Sequence, residues 1–521
     1  MRLTSVLDHQ GGSPAARNGH TPHVKIAIIG TGFAGLGLAI RFKEAGIEDF
    51  VILERAEDVG GTWEANTYPG CQCDIPSHLY SFSFALNPNW TRTYPRQREI
   101  WDYLRELSAQ HEIGRHIRFG HELEAAAWDE DAQHWSIETS RGSWTAQVVV
   151  DGSGGLSHPS TPALPGLHTF PGTMFHSAQW DHDHDLTGKR VAVIGTGASA
   201  IQFVPRIQKQ VGTMHVFQRT APWIMPHPDR PTTRAERVLY RKAPFLQKFV
   251  RSAVYWNKES LVPGLVKDQR LLRPLMQIGR LHLRNQVRDP ELRRKLTPQF
   301  DVFCKRILLS NEWYPALQKP NVELVTGAIQ EIRGNTIVSA DGSEREVDTI
   351  IFGTGFHVTD PPTLGLVRGR DGRTLLERAA GSGVQAYLGT TIAGLPNYFK
   401  FTGPNTALGH NSMVYMIESQ MAYIMDALRV MDERGVTSFD VRPEVQARYN
   451  ERLQSKMPKT VWMSGCASWY LDADGRNVTI WPDFTFKFRH RTRRFDTRAY
   501  ELRTGAGASE PAPATASAAV A

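Results

Sequence analysis

Val24-Lys25-Ile26-Ala27-Ile28-Ile29-Gly30-Thr31-Gly32-Phe33-Ala34-Gly35 decides the fold: an apolar strand run ends in a glycine-rich turn and opens into a helix-forming stretch. Glycines at such a turn let the backbone approach a pyrophosphate, and the N-terminus of the helix favours its negative charge. The design recurs as Arg190-Val191-Ala192-Val193-Ile194 followed by Gly195-Thr196-Gly197-Ala198-Ser199-Ala200. Ala200 stands where the first copy has Gly35, an accepted exchange because that position serves helix–strand packing. From Gly30 to Gly195 is 165 residues, a domain-sized offset and not a solenoid period.

The two copies obey opposite charge rules. Twenty-four residues past Gly30 stands Glu54, closing the strand run Phe50-Val51-Ile52-Leu53. A carboxylate there accepts hydrogen bonds from both hydroxyls of an unphosphorylated adenosine ribose, as for FAD or NAD. The same offset from Gly195 lands on Arg219, closing His215-Val216-Phe217-Gln218. A guanidinium cannot accept from a ribose, but it pairs with a 2′-phosphate, as in NADP(H). Two dinucleotide sites of different preference in one chain imply a flavin relaying hydride equivalents from NADPH.

The remainder of the chain is organised around these copies. Apolar runs at Val148-Val149-Val150 and Thr349-Ile350-Ile351-Phe352 each end in glycines, as strands do when they deliver backbone to a ligand. The expected fold is α/β, with two Rossmann-like dinucleotide-binding domains, the NADP domain inserted in the FAD domain. The first part of the FAD domain is assigned to 23–165, the NADP domain to 166–345 and the second part of the FAD domain, with C-terminal loops, to 346–502. A helical insertion is expected at 232–300, where Arg and Leu recur at helical spacing. Residues 1–22 and 503–521, polar or Ala/Pro/Gly-rich, are expected to be a disordered arm and tail.

Composition excludes several function classes. The 521 residues carry 60 Lys+Arg against 53 Asp+Glu, a net +7 that a phosphorylated cofactor explains more simply than nucleic acid, since no long basic run exists. Cys71, Cys73, Cys304 and Cys466 have neither zinc spacing nor that of a redox dithiol, so no metal is expected and all four are read as thiols in a reducing cytoplasm. No apolar run reaches transmembrane length. The arginines of 232–300 are interspersed with acids, as in Arg288-Asp289-Pro290-Glu291-Leu292-Arg293, which reads as a solvated helical face and not a membrane-surface one.

Phe170-Pro171-Gly172-Thr173-Met174-Phe175-His176-Ser177-Ala178-Gln179-Trp180-Asp181 lies just before the second glycine motif. Its Phe170, Gly172, His176, Trp180 and Asp181 meet every fixed position of the fingerprint of the type I Baeyer–Villiger monooxygenases, F-x-G-x-x-x-H-x-x-x-W-P/D. Over most of its length the chain resembles that family. Gly60-Gly61-Thr62-Trp63, with Tyr68, Gly70 and Asp74, meets a second family pattern. The wording Cys73-Asp74-Ile75-Pro76-Ser77-His78-Leu79-Tyr80-Ser81-Phe82-Ser83-Phe84 looks more like the 4-hydroxyacetophenone monooxygenase branch than the cyclohexanone one.

The resemblance implies FAD and NADPH as cofactors and a ketone and O2 as substrates. NADPH reduces the flavin, a flavin C4a-peroxide forms, and its attack on the carbonyl ends in an ester or lactone. Such a site needs a fixed, permanent cation to hold an anionic peroxide and an alkoxide-like intermediate. Within Phe303-Cys304-Lys305-Arg306-Ile307, Arg306 matches the family's catalytic arginine. Lys305 then contacts the NADP 2′-phosphate beside Arg219, with Thr220 as a further phosphate ligand, and Asp74 matches the aspartate that positions the arginine. Trp63 and Tyr68 lie on the flavin side by resemblance, and Trp469 resembles the family's mobile-loop tryptophan that contacts NADP. His176 is read as an organiser of domain movement and not as a general base. The rival enzyme reading is S- or N-oxygenation of sulfides or amines by the same flavin chemistry. A non-catalytic NADPH-binding redox sensor is disfavoured by the retained Asp74 and Arg306. The oligomeric state, monomer or homo-oligomer, stays open.

Overall fold

A computed structural model describes residues 21–505. The arm at 1–22 and the tail at 503–521 fall almost wholly outside these residues. Where the tail is described it differs from the expectation: Arg503 and Thr504 belong to the strand Tyr500–Thr504, which pairs antiparallel with Val436–Val441. The apolar Tyr500 and Leu502, both buried, carry that strand past the start of the Ala/Pro-rich composition.

The first glycine motif lies where the sequence places it. His23–Ile29 forms a strand whose last residues are buried, flanked by Phe50–Glu54 on one side and Gly142–Asp151 on the other, all parallel. A strand covered on both faces reads as a continuous apolar run, here the buried Ile26–Ile29. Gly30, at φ +91°, turns the chain into the helix Phe33–Glu44. A Cβ on Gly35 would lie 2.0 Å from the Gly30 carbonyl oxygen, so only glycine lets this helix cross the strand so closely.

A second sheet repeats the plan. Its five strands run in the order Val322–Val325, Thr213–Phe217, Arg190–Ile194, Thr349–Phe352, Thr173–His176, all parallel. Thr349–Phe352 therefore pairs with the second sheet, although residues from 346 on are expected to have returned to the first. We place the return after Phe352. Val367–Arg368 rejoins the first sheet beside Leu123–Asp129, and Tyr398–Lys400 follows beside Val149–Asp151, so the second sheet is inserted within the chain that builds the first. The 22-residue helix Met413–Arg434 packs against Phe33–Glu44.

Between Thr213–Phe217 and Val322–Val325 the chain forms helices Arg234–Lys242, Pro244–Glu259, Val262–Val266, Arg273–Gln286 and Pro290–Lys295. Arg251 ties this insertion to the first unit by donating to the carbonyls of His78, Leu79 and Ser81. None of the described helices is long and apolar enough to cross a membrane.

Candidate functional site

Asp74 and Arg306 are 232 residues apart in sequence and meet as a fork: Nε donates to Oδ2 at 2.6 Å and Nη2 to Oδ1 at 2.7 Å. Burial alone would raise the Asp74 carboxyl, but the charge and hydrogen bonds of Arg306 more than reverse it, holding it below the ordinary carboxylate range. Burial likewise opposes the guanidinium charge, and Asp74 overrides it. Each side chain keeps about a quarter of its surface accessible (26% and 29%), so a ligand can reach the pair. Nη1 donates to the Leu408 carbonyl at 3.3 Å. Three of the five guanidinium N–H groups are thus engaged, leaving two for a ligand oxygen.

Gln202, on the helix Ala200–Ile207, joins the Asp74 segment to the second unit. It accepts from Tyr68 Oη and from the Gln72 N–H, both at 3.1 Å, and donates to the Gln72 carbonyl at 3.0 Å. Asp229 adds a second tie, accepting from Gln72 and Arg92. The Asp74 segment is therefore held between the two sheets.

The first glycine turn fits a dinucleotide. At the N-terminus of Phe33–Glu44, Gly32 provides no side-chain cap and the first turn holds no acid, so the free N–H groups of Phe33, Ala34 and Gly35 suit a pyrophosphate. Gly61, φ +54°, brings Thr62 and Trp63 onto this turn: a Cβ on it would lie 3.0 Å from the Gly32 Cα. The Trp63 indole donates to Tyr80 Oη at 3.0 Å. Glu54 is buried; Oε2 accepts from the N–H and hydroxyl of Thr31 (2.7 and 2.6 Å), and Oε1 from the Ala56 N–H (2.9 Å). That leaves Oε1 capacity for one ribose hydroxyl, where the sequence suggests two.

The second turn fits a phosphorylated partner. Gly195 has φ +111°, and the helix that follows Thr196, Gly197, Ala198 and Ser199 again lacks a side-chain cap and an acid in its first turn. Arg219 and Lys305 come together here. Burial lowers the Lys305 ammonium, and the neighbouring Arg219 charge lowers it further. Lys305 packs over the Phe300 ring, and neither cation has a carboxylate partner among the described residues. Two uncompensated cations suit a phosphate. Thr220 is half-buried beside Arg219.

The fingerprint residues lie apart from the Asp74–Arg306 fork, at the edge of the second sheet. Phe170 packs in the core of the second unit, and a Cβ on Gly172 would lie 2.3 Å from the Asp348 carbonyl oxygen. His176 ends the strand beside Phe352, its Nδ1 accepting from the Ala178 N–H at 3.1 Å; burial pushes its pKa down to about 4. Trp180 packs on Phe175 and Phe203, and Asp181 Oδ1 accepts from the N–H groups of Asp183 and His184.

One sequence expectation is overturned. Cys304 and Cys466 are joined in a disulfide, while Cys71 and Cys73 are free and buried. Cys304 precedes Lys305, and Cys466 stands three residues before Trp469. Partners 162 residues apart, each alone in its segment, carry no spacing signal. Trp469 stands exposed (44%) against the ring of Tyr470. The aromatics of 460–488 divide: Trp462, Tyr470, Trp481 and Phe488 are core, whereas Trp469 and Phe486 face out.

Two nearby residues have no signal in the sequence. Tyr470 is buried with its hydroxyl unpartnered; burial pushes it up to about 12 and the Arg306 charge pulls it back. Lys258, half-buried near the same pair, has its ammonium lowered by burial while Asp74 pulls it back.

Residues 27–234 match the pyridine nucleotide-disulphide oxidoreductase family. A Baeyer-Villiger monooxygenase of Pseudomonas aeruginosa is 51% identical over 485 residues, covering 92% of each chain. Another, of Streptomyces coelicolor, is 51% identical over 494 residues and 94% of each chain. Among solved structures, an oxidized steroid monooxygenase bound to NADP superposes with a TM-score of 0.81 at 31% identity, over 93% of this chain and all of that one.

Proposed function

This chain belongs to the Baeyer–Villiger monooxygenases, and on that premise we propose that Arg306, held by Asp74, is the residue on which its oxygen insertion turns. The enzyme uses FAD and NADPH to convert ketones to esters or lactones with O2. One oxygen atom enters the ketone, the other leaves as water, and NADPH supplies the two electrons. Bound flavin supplies the activation of O2.

The observation that carries the reading is the forked Asp74–Arg306 pair with two guanidinium N–H groups left over. Those donors would hold the ketone oxygen as it gains charge, a stabilisation strongest where the donors are fixed in advance. Asp74 positions them; its carboxylate already bears two charge-assisted bonds, which restrains the guanidinium at the correct angle. Arg219, Lys305 and Thr220 would hold the 2′-phosphate of NADPH, and Glu54 the adenosine ribose of FAD. Trp63 and Tyr68 would border the flavin, and Trp469 would close over NADP.

The segment Cys73 to Phe84 supports placement near the 4-hydroxyacetophenone monooxygenase-like branch. The test is NADPH oxidation by the flavin-loaded enzyme against linear, cyclic and aryl ketones, with products identified by mass. Ester or lactone formed in proportion to NADPH consumed, with aryl ketones preferred, is the expected result. Sulfoxides or N-oxides without esters across the panel would transfer the enzyme to heteroatom oxygenation.

A further inference from the structure

The helix Pro244–Glu259 has two faces of unlike chemistry. Its inner face is built into the protein: Glu259 accepts from Asn411 Nδ2 at 2.7 Å and from the hydroxyl and N–H of Thr485 at 2.8 and 2.9 Å. Tyr255 and Gln247 are buried on the same side. The outer face presents Phe245 (68% exposed), Phe249 (71%) and Trp256 (57%), at positions i, i+4 and i+11 of one helical stripe.

Neighbouring helices extend that stripe. Arg234–Lys242 adds Val238 and Leu239, and Thr485–Arg491 adds Phe486, whose ring centre lies 5.9 Å from that of Trp256. Six of the twelve large apolar side chains exposed among the described residues therefore lie on three adjoining helices. Isolated exposed apolar residues are ordinary, but a contiguous aromatic stripe marks a surface that something covers.

The charges on these helices say what covers it. Arg241, Lys242, Lys248 and Lys487 are exposed. Of the acids, Glu236 is taken by Arg230 and the Thr233 cap, and Glu259 is buried. Lys487 is paired with Asp483, but Arg241, Lys242 and Lys248 have no carboxylate partner among the described residues. An apolar, aromatic stripe rimmed by such cations matches the headgroup zone of an anionic bilayer. A second copy of the chain would set the same cations against one another.

We propose that Phe245, Phe249, Trp256 and Phe486 dock this enzyme on the surface of an anionic phospholipid bilayer. This goes beyond the solvated face expected from the sequence, because charge spacing along the chain does not reveal which apolar residues the fold leaves outside. Docking does not depend on the ketone reading. If that reading holds, docking has a purpose: the same helix ends against His410 and Asn411, two and three residues past the Leu408 carbonyl that Arg306 contacts, so a ketone dissolved in lipid would enter beside the site.

The experiment is flotation of the flavin-loaded full chain with vesicles of phosphatidylcholine alone or mixed equally with phosphatidylglycerol, at low and high salt. Wild type should float with the mixed vesicles, less so as salt rises, and not with phosphatidylcholine alone. The exposed-residue variant F245S/F249S/W256S should lose binding by at least about tenfold while still oxidising NADPH with a water-soluble ketone. Equal flotation of wild type and variant, or none by wild type, overturns the proposal. So does a dimer seen by light scattering that the variant dissolves, since the face would then belong to a second copy.

Discussion

Arg219 presses on the charge of Lys305, and neither cation has a carboxylate partner among the described residues. Two like charges are held together at a cost unless a multiply charged anion binds, so the arrangement makes sense as a phosphate site. Arg219→Gln should therefore raise the KM for NADPH by about 10- to 100-fold, the loss of one charge-assisted contact, while leaving NADH use nearly unchanged. The pH dependence has a definite sign. Burial and then Arg219 lower the Lys305 ammonium, so it gives up its proton at lower pH than a free lysine and NADPH binding weakens as pH rises. Removing the Arg219 charge should move that alkaline loss to higher pH even as KM rises. Steady-state kinetics with both nucleotides across the alkaline range decides; equal effects on NADH and NADPH would dissociate the pair from the phosphate.

The role proposed for the Asp74–Arg306 fork would separate flavin reduction from oxygen insertion. Arg306→Ala should leave reduction by NADPH close to wild type in stopped flow but cut ester formation by about 10²- to 10³-fold. Arg306→Lys should not rescue it, since an ammonium cannot offer Nε and Nη2 to both oxygens of Asp74 and still have two in-plane donors free. A lysine variant with near wild-type ester yield would show that charge alone suffices and the fork is structural.

Much of this could be read along the chain because the signals are local. The glycine turns at Gly30 and Gly195 sit at fixed offsets from Glu54 and Arg219, and the physics of phosphate binding is confined to a dozen residues. The Asp74–Arg306 contact was reachable only by family likeness, since nothing in either segment names its partner. Tyr470, Lys258 and Gln202 carry no such likeness, and their positions are set by how the insertion and the C-terminal loops pack on the two sheets. Thr349–Phe352 shows the same limit: its composition reveals a strand, but only its register with Arg190–Ile194 shows which sheet it joins.

His176 should prove silent in the rate profile. Burial holds it near pKa 4, so it is neutral through the working range. His176→Gln should change the size of kcat without changing the shape of its pH profile, and a lost ionisation near neutrality would mean direct proton transfer after all. Stability gives the complementary sign. A histidine depressed in the folded state is protonated first in the unfolded chain, so folded stability falls as pH drops from about 6.5 toward 4, by roughly 3 kcal/mol at most. Thermal melting of the glutamine variant should be flatter across that window than that of wild type.

The Cys304–Cys466 bond ties the segment of Lys305 and Arg306 to the loop carrying Trp469 and Tyr470. That loop packs on the other segment through Val302, Phe303, Val461, Trp462 and Tyr470, so the bond reinforces a contact that apolar burial already makes. Cross-links that close long loops typically contribute about 2–4 kcal/mol. Cys466→Ser should lower the melting temperature by a few degrees and raise the KM for NADPH more than it lowers kcat, because it frees the loop of Trp469 but leaves the Asp74–Arg306 fork intact. Alkylation of the denatured protein without reductant should mark only Cys71 and Cys73, and all four cysteines after treatment with a dithiol. Four labels without reductant would mean that the two segments are held by packing alone, and the serine variant should then melt and bind NADPH like wild type.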